Sequence, residues 1–312
     1  MRDFTTLLSV LPDLTSGALL SVELTTSTHT MPKPKKNTPP LNPHAMRAMM
    51  ERALGSIGGT KKDTAEQRAQ ELVYNAMEAT TGASAVDFLR QALDLDPENV
   101  DALVMMVDVV GLRGRDRIEA LIGIVATGEK RLGKKMFKEG VPHFWGILET
   151  RPFMRAKNRL ANTLREAGFL DEAAKQFEEM LVLNEGDNQG VRYILLPILL
   201  AQNHLDQARE LMKRYPDECE WNVVFAWCLV LERRLSAETA EARDALTSAR
   251  EQNGHVEAFI TGHRKLPKNM PGSYSPGSKE EAICFADVLI TAWQAHPEAL
   301  TWLSENARGT AP

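Results

Sequence analysis

Side chains that can bind anions gather in the stretch FWGILETRPFMR, residues 144–155, and in the segment that follows it. If Pro152 lies in the first turn of a helix, where its missing N–H is tolerated, successive side chains turn by about 100° around the axis. Phe153, Leu160 and Leu164 then share one side. The opposite side carries the polar residues Arg151, Arg155, Asn158 and Asn162.

Guanidinium and carboxamide groups in a row are suited to carboxylates or to peptide backbone, because Arg offers paired planar donors and Asn both donates and accepts. Arg192 takes an equivalent place in the next predicted helix of this kind. We therefore predict a peptide-binding groove formed by Arg151, Arg155, Asn158, Asn162 and Arg192. The alternative is that these arginines pair with Glu149, Glu166 or Asp187 and brace neighbouring repeats.

Catalytic chemistry has weaker support. His143, Glu149 and Arg151 could act as base, acid and oxyanion donor, but no nucleophile accompanies them. We expect no catalytic residue, and an enzyme with a pocket near residues 140–155 is kept as an alternative. Phe144 and Trp145 are predicted to pack into a helix junction rather than to stack on a ligand.

Metal and cofactor signatures are missing from the sequence. Cys219, Cys228 and Cys284 form no CxxC pair, and His255 and His263 have no further ligand at a suitable spacing. Gly-rich phosphate-binding patterns are also absent. We expect neither a metal nor a cofactor, and the cysteine usage fits a reducing, cytoplasmic compartment.

Composition excludes several classes of protein. The chain has 312 residues, 43% of them hydrophobic, a formal net charge of -5 and a pI near 5.9. Such a chain can bury a core and has no general attraction to nucleic acid, and no apolar run reaches the roughly 20 residues that span a bilayer. Residues 31–62 and 130–138 are locally basic, so nucleic-acid association through them is an alternative, although no aromatic residues alternate with the charges.

A repeat becomes visible when the second helix of each predicted hairpin is aligned. A small residue occurs at Ala85, Ala120, Ala173, Ala208 and Ala242, at intervals of 35, 53, 35 and 34 residues. A large apolar residue follows one turn later, at Leu89, Ile124, Phe177, Met212 and Leu246. This is the period of tetratricopeptide hairpins with one insertion, and it predicts an all-α fold, an α-solenoid of such hairpins.

The ends of the chain differ from this pattern. Residues 1–62 are predicted to be a disordered or irregular basic segment, with a possible true start at Met31, and residues 306–312 a tail. The repeat domain is predicted over residues 63–305. Ser278 and Glu281 form a capping box for a helix over Lys279 to Ala295, which we expect to be a C-terminal capping helix.

The blocks FWGILETRPFMRAKNRLA, NEGDNQGVRY, NGHVEAFITGHRKLP and YSPGSKEEA resemble the tetratricopeptide-like family named for the suppressor of tumorigenicity 7 protein. They occur in matching order over roughly residues 140 to 303. The resemblance implies an all-helical scaffold and places Arg155, Asn158 and Asn162 on its concave surface. It implies no reaction and no cofactor.

Together these features favour a non-catalytic scaffold or adaptor that binds an acidic or extended peptide in a concave groove. The expected partner is a protein or peptide, with no membrane and no nucleic acid involved.

Overall fold

The computed structural model describes residues 43–57 and 64–306. Across these ranges the fold is all-helical and contains no β-strand, as the sequence predicts. Fifteen α-helices occur in the described residues: α1 (Pro43–Ile57), α2 (Ala65–Glu78), α3 (Gly82–Leu95), α4 (Val100–Val109), α5 (Gly114–Gly140), α6 (Arg151–Glu166), α7 (Leu170–Leu183), α8 (Arg192–Ala201), α9 (Leu205–Arg214), α10 (Glu218–Trp221), α11 (Val223–Leu235), α12 (Thr239–Asn253), α13 (His255–Ile260), α14 (Lys279–Gln294) and α15 (Pro297–Glu305).

Polar side chains fix the start of several helices. Thr64 accepts a hydrogen bond from the Gln67 amide ahead of α2, and Asn99 accepts one from the Ala102 amide ahead of α4. Ser278 does the same for the Glu281 amide ahead of α14. Such caps satisfy backbone donors that lack a partner in the first helical turn. The predicted cap of α14 is thus confirmed, although the Glu281 carboxylate accepts from the Gly277 amide instead of closing the reciprocal half of the box.

The aligned repeat positions lie in α3, α5, α7, α9 and α12, which alternate along the chain apart from the additional short helix α10 between α9 and α11. Nine of the ten residues are buried, and Ala85 is half-buried. Helix α3 packs on α2, α5 on α4, α9 on α8, and α12 on α11. The periodicity therefore locates buried helix faces correctly.

The long interval between the second and third aligned positions has a structural cause. Helix α5 is interrupted at Gly133, whose φ of 68° is reached readily by glycine. Two short 3-10 turns, Phe144–Gly146 and Leu148–Thr150, then lead into α6. Earlier in α5, a Cβ atom on Gly128 would stand 3.1 Å from the Phe153 ring, so the α5 backbone touches α6 there.

The predicted irregular segment 1–62 needs a correction. Residues 43–57 form helix α1, and the other residues of that segment, as well as the tail from 307, lie outside the described residues. Pro43 is tolerated at the first helical position, and the residues after it are mostly good helix formers such as Ala and Met. The basic proline-rich composition before residue 43 concealed this pattern.

The chain divides into two compact units. The first contains residues up to Gly140 together with Phe144–Thr163, and the second contains Val141–His143 together with the residues from Leu164 onward. The division falls inside α6.

Each unit has its own core. In the first unit, Ala48 of α1 joins a buried cluster with residues of α2, α3 and α4, among them Val73, Leu89 and Met106. In the second unit, the rings of Trp227 and Trp293 meet edge to face with centroids 6.4 Å apart. Both tryptophans are fully buried.

Helix α14 ends within one residue of its predicted boundary but is not the last helix. Pro297 follows His296 and begins α15, because a proline is favourable in a first helical turn. Helix α14 packs against α8, α11, α13 and α15 within the second unit. Among the described residues, no helix is both long and apolar enough to cross a membrane.

The core of the second unit yields a stability prediction. Phe177 on α7 is fully buried, whereas Val182 on the same helix is 63% exposed. We expect Phe177→Ala to lower the free energy of unfolding by about 3–5 kcal/mol, because it removes buried surface and leaves a cavity. Val182→Ala is the matched control and should change the free energy of unfolding by less than about 0.5 kcal/mol. Urea denaturation followed by circular dichroism measures both, and equal effects would contradict the assigned burial.

Candidate functional site

A buried arginine lies at the centre of the first unit. Arg155 donates from Nε and Nη2 to both oxygens of Asp101, at 2.8 and 2.5 Å, and from Nη1 to Glu51 at 2.7 Å. Tyr74 donates its hydroxyl to Glu51 at 3.2 Å, and Arg151 Nη1 lies 3.7 Å from the same carboxylate. These five residues, Glu51, Tyr74, Asp101, Arg151 and Arg155, form the Arg155 cluster.

The cluster is nearly closed to solvent. The Arg155 side chain is 10% exposed, and the side chains of Glu51 and Asp101 are each 4% exposed. Burial works against the charge of Arg155, but the two carboxylates outweigh it and raise the pKa of Arg155 above its usual value. Burial, followed by the nearby charge of Glu51, raises the pKa of Tyr74. The site therefore holds a charged guanidinium and a neutral phenol that can both donate to a carboxylate.

Three helices of the first unit position these groups. Asp101 lies in the first turn of α4, just after the Asn99 cap, and accepts a further bond from Gln70 of α2. Arg151 and Arg155 are one turn apart at the start of α6. The Arg151 Nε donates to the Trp145 carbonyl at 2.9 Å, and its guanidinium lies 5.4 Å from the centre of the Trp145 ring. The residues before α6 therefore orient Arg151.

Helix α1 supplies the second carboxylate of the cluster. Next to Glu51, Arg52 donates to Glu71 at 2.8 Å, to Asn75 at 2.8 Å and to Glu78, all on α2. Its guanidinium also lies 5.2 Å from the centre of the Tyr74 ring. Helix α1 is thus held against the first unit largely through charged side chains.

A cavity of about 310 Å³ adjoins the cluster, and Glu51, Tyr74 and Arg155 form part of its wall. Its apolar lining includes Val100, Leu132, Leu148 and Phe153. This volume is at the lower end of the range for small-ligand sites. The cavity therefore places an apolar surface next to the Arg155 guanidinium.

Asn158 and Asn162 lie farther along α6. The Asn162 amide donates to the Asn158 carbonyl at 3.0 Å and to the Asn158 side-chain oxygen at 2.6 Å. Both residues are half-buried. Their mutual contact leaves amide hydrogens of Asn158 and oxygen lone pairs of Asn162 as additional hydrogen-bonding capacity.

Arg192 lies in the second unit, where it has acidic partners of its own. It donates to Asp187 at 2.9 Å and to Glu218 at 3.0 and 2.7 Å, and its guanidinium lies 4.2 Å from the centre of the Tyr193 ring. Asp187 also accepts from the Val191 and Arg192 amides. The sequence suggested Glu149, Glu166 and Asp187 as partners of the groove arginines. Of these three acids, the structure pairs Asp187 with Arg192.

The structure thus brings Arg151 and Arg155 together and places Asn158 beside Asn162. The remaining cluster members, Glu51, Tyr74 and Asp101, were missed from sequence. A signal existed for Asp101, because an acid two residues after a helix cap is well placed to face the next helix. Glu51 had no usable signal, since it lies in the segment predicted to be irregular.

Other candidate residues are arranged differently. His143 and Glu149 are exposed, whereas Phe144 is fully buried and packs 5.1 Å from Phe137, which confirms the packing prediction for Phe144. Within residues 43–57 and 64–306, no three His, Cys, Asp or Glu side chains are grouped to hold a metal ion. In the basic stretch 130–138, Lys130 pairs with Glu98 at 3.3 Å and Arg131 with Asp96 at 2.8 Å.

No family model matches the chain, and no curated protein matches it. The chemistry of the Arg155 cluster is therefore the basis for assigning a function.

The cluster should contribute strongly to stability. Arg155→Gln leaves Glu51 and Asp101 buried without their cation, and we expect the free energy of unfolding to fall by about 3–5 kcal/mol. Arg159 is the matched control, because it lies one turn later on α6, pairs with Asp108 and is 46% exposed. Arg159→Gln should cost less than about 1 kcal/mol. Urea denaturation measures both variants. If Arg155→Gln and Arg159→Gln lowered the free energy of unfolding equally, the importance of the buried ion pairs would be contradicted.

The tyrosines give a pH prediction. Burial raises the pKa of Tyr193 to about 12, with a further contribution from its hydrogen bond to Glu218, and burial also raises the pKa values of Tyr74 and Tyr215. These groups keep their protons in the folded chain above about pH 10, where unfolded tyrosine ionises. The contribution of these tyrosines to the free energy of unfolding should therefore be fully present below about pH 10 and be lost as the pH rises towards 12. At about pH 11, tyrosinate absorbance should be lower in the folded chain than in urea, and identical titration curves would contradict this.

Proposed function

We propose that the chain is a non-catalytic interaction scaffold, an α-solenoid of tetratricopeptide-like hairpins, that binds a carboxylate-bearing segment of a partner protein at the Arg155 cluster. The repeat period of about 35 residues and the packing of successive helices in pairs support the architecture. The three free cysteines fit a reducing, cytoplasmic compartment.

One observation carries the proposal. The Arg155 cluster binds a carboxylate, that of Glu51, which is presented by the separate helix α1. Arg155 holds Asp101 through two nitrogens and has its third nitrogen directed to Glu51. A fixed acid on one side keeps the guanidinium charged and oriented, and the other side recognises an acid delivered by a helix.

The cavity beside the cluster supports a protein partner over a free anion. A small anion would occupy Arg155 and Tyr74 but would leave the apolar wall formed by Val100, Leu132 and Phe153 exposed to water. A peptide segment can place a carboxylate at Arg155 and an apolar side chain in the cavity. Asn158 and Asn162 remain the predicted contacts for the backbone of such a segment, and Arg192 remains a predicted contact within the second unit.

A selection with displayed peptides tests the proposal. The full-length chain is immobilised, and randomised 15-residue peptides are selected for binding, with Arg155→Gln and Arg159→Gln chains as parallel targets. We expect Asp or Glu to be enriched at one fixed position. The selected peptides should bind the Arg155→Gln chain about 30-fold or more weakly, which corresponds to a loss of at least about 2 kcal/mol in binding free energy. Their affinity for the Arg159→Gln chain should be unchanged.

Tyr74→Phe gives a second test that preserves the fold, because it removes one donor to the carboxylate and keeps the ring. Selected peptides should bind this chain several-fold more weakly. Peptides without an acidic preference, or equal binding to the chains with and without Arg155, would overturn the proposed function.

A further inference from the structure

Helix α1 faces the first unit with its charged side and solvent with its apolar side. At 100° per residue, Met46, Met49, Met50 and Leu54 share one side of the helix, and they are 45, 53, 60 and 43% exposed. Among the α1 side chains that the structure describes, Ala48 and Glu51 are the buried ones. A surface helix usually has the opposite orientation, with its apolar stripe against the core.

This orientation limits how firmly α1 is held. Its contacts with the unit include the Glu51 bonds to Arg155 and Tyr74, the Arg52 bonds to α2, and the packing of Ala48. The Arg52 side chain is 25% exposed and its partners Glu71 and Glu78 are 40 and 38% exposed, so these ion pairs are screened by water and salt.

Helix α1 also fits the site imperfectly. Burial, followed by the like charge of Arg155, lowers the pKa of Arg47 on α1, although the charges of Asp101 and Glu51 act in the opposite direction. Helix α1 leaves the adjoining cavity of about 310 Å³ unfilled. A segment with the same carboxylate, no cation at the Arg47 position and a large apolar side chain for the cavity would gain contacts that α1 lacks.

We propose that α1 is a built-in competitor for the partner site: it covers the Arg155 cluster until a helical partner segment with a glutamate and a neighbouring Leu or Phe displaces it. This inference rests on the proposed function, because the same cluster binds both segments. Arg151, Arg155 and Asp101 remain when α1 leaves, so the cluster itself keeps one net positive charge next to which an acidic group can bind. Because α1 belongs to the same chain as the site, it is present at high effective concentration and covers the site again when the partner dissociates.

Amide hydrogen exchange in the full-length chain tests whether α1 is displaceable. Glu51→Gln weakens the contact with Arg155, and Ala48→Asp disturbs α1 at a different contact. Each should speed exchange of the residue 43–57 amides about tenfold or more, and α3 exchange should stay unchanged in the Glu51→Gln chain. Met50→Gln, on the exposed side, is the matched control and should have no effect. Unchanged α1 exchange in both variants, or equal acceleration throughout the first unit, would overturn the inference.

Competition is tested separately with a defined probe, a fluorescein-labelled peptide of α1, residues 43–57. Fluorescence anisotropy should show about tenfold tighter binding of this peptide to the full-length Glu51→Gln chain than to the unmodified chain or the Met50→Gln chain. A peptide with the Glu51→Gln change should not bind. If the labelled α1 peptide bound all three chains with equal affinity, the proposal that α1 competes for the site would be overturned. The proposed function is judged independently by the acidic preference of the selected peptides, so the two failures are distinguishable.

Discussion

The first unit is organised around one guanidinium that is shared by two buried carboxylates. Arg155 on α6 joins Asp101 on α4 and Glu51 on α1, and Tyr74 on α2 donates to the same Glu51 carboxylate. The cluster thus connects four helices through hydrogen bonds whose geometry is more demanding than apolar contact. A charge buried to this degree is tolerated because each of its partners is fixed by its own helix. The same arrangement is the basis of the proposed recognition of an acid.

The sequence predicted the helical framework well, because the framework depends on local patterns. Ala173 and Phe177 are one turn apart on a buried face, and the same pair of positions recurs along the chain at nearly constant spacing. Caps such as Ser278 depend on neighbouring residues and were equally visible. The start of α6 was placed within one residue, since Pro152 restricts where a helix can begin.

The candidate site was only half predictable, because ion pairs depend on residues far apart in sequence. Arg151 and Arg155 stood out by their spacing on one helix. Nothing local indicates that Arg155 meets Glu51 and Asp101, which are 104 and 54 positions away. Helix α1 was missed because the proline-rich residues before it dominated the composition of the segment. Its orientation could not be deduced either, since an apolar stripe normally predicts the buried side.

Gly128 lets the α5 backbone pack directly against one wall of the cavity. This residue lies in the cavity wall, and its backbone touches the Phe153 ring, which lines the same space. A methyl group at this position would push α5 and Phe153 apart by a few tenths of an ångström or more. A side chain at position 128 would therefore change the shape of this part of the recess. The close packing at Gly128 and the ion pairs of Arg155 thus involve separate residues of the first unit, and a substitution can change one without the other.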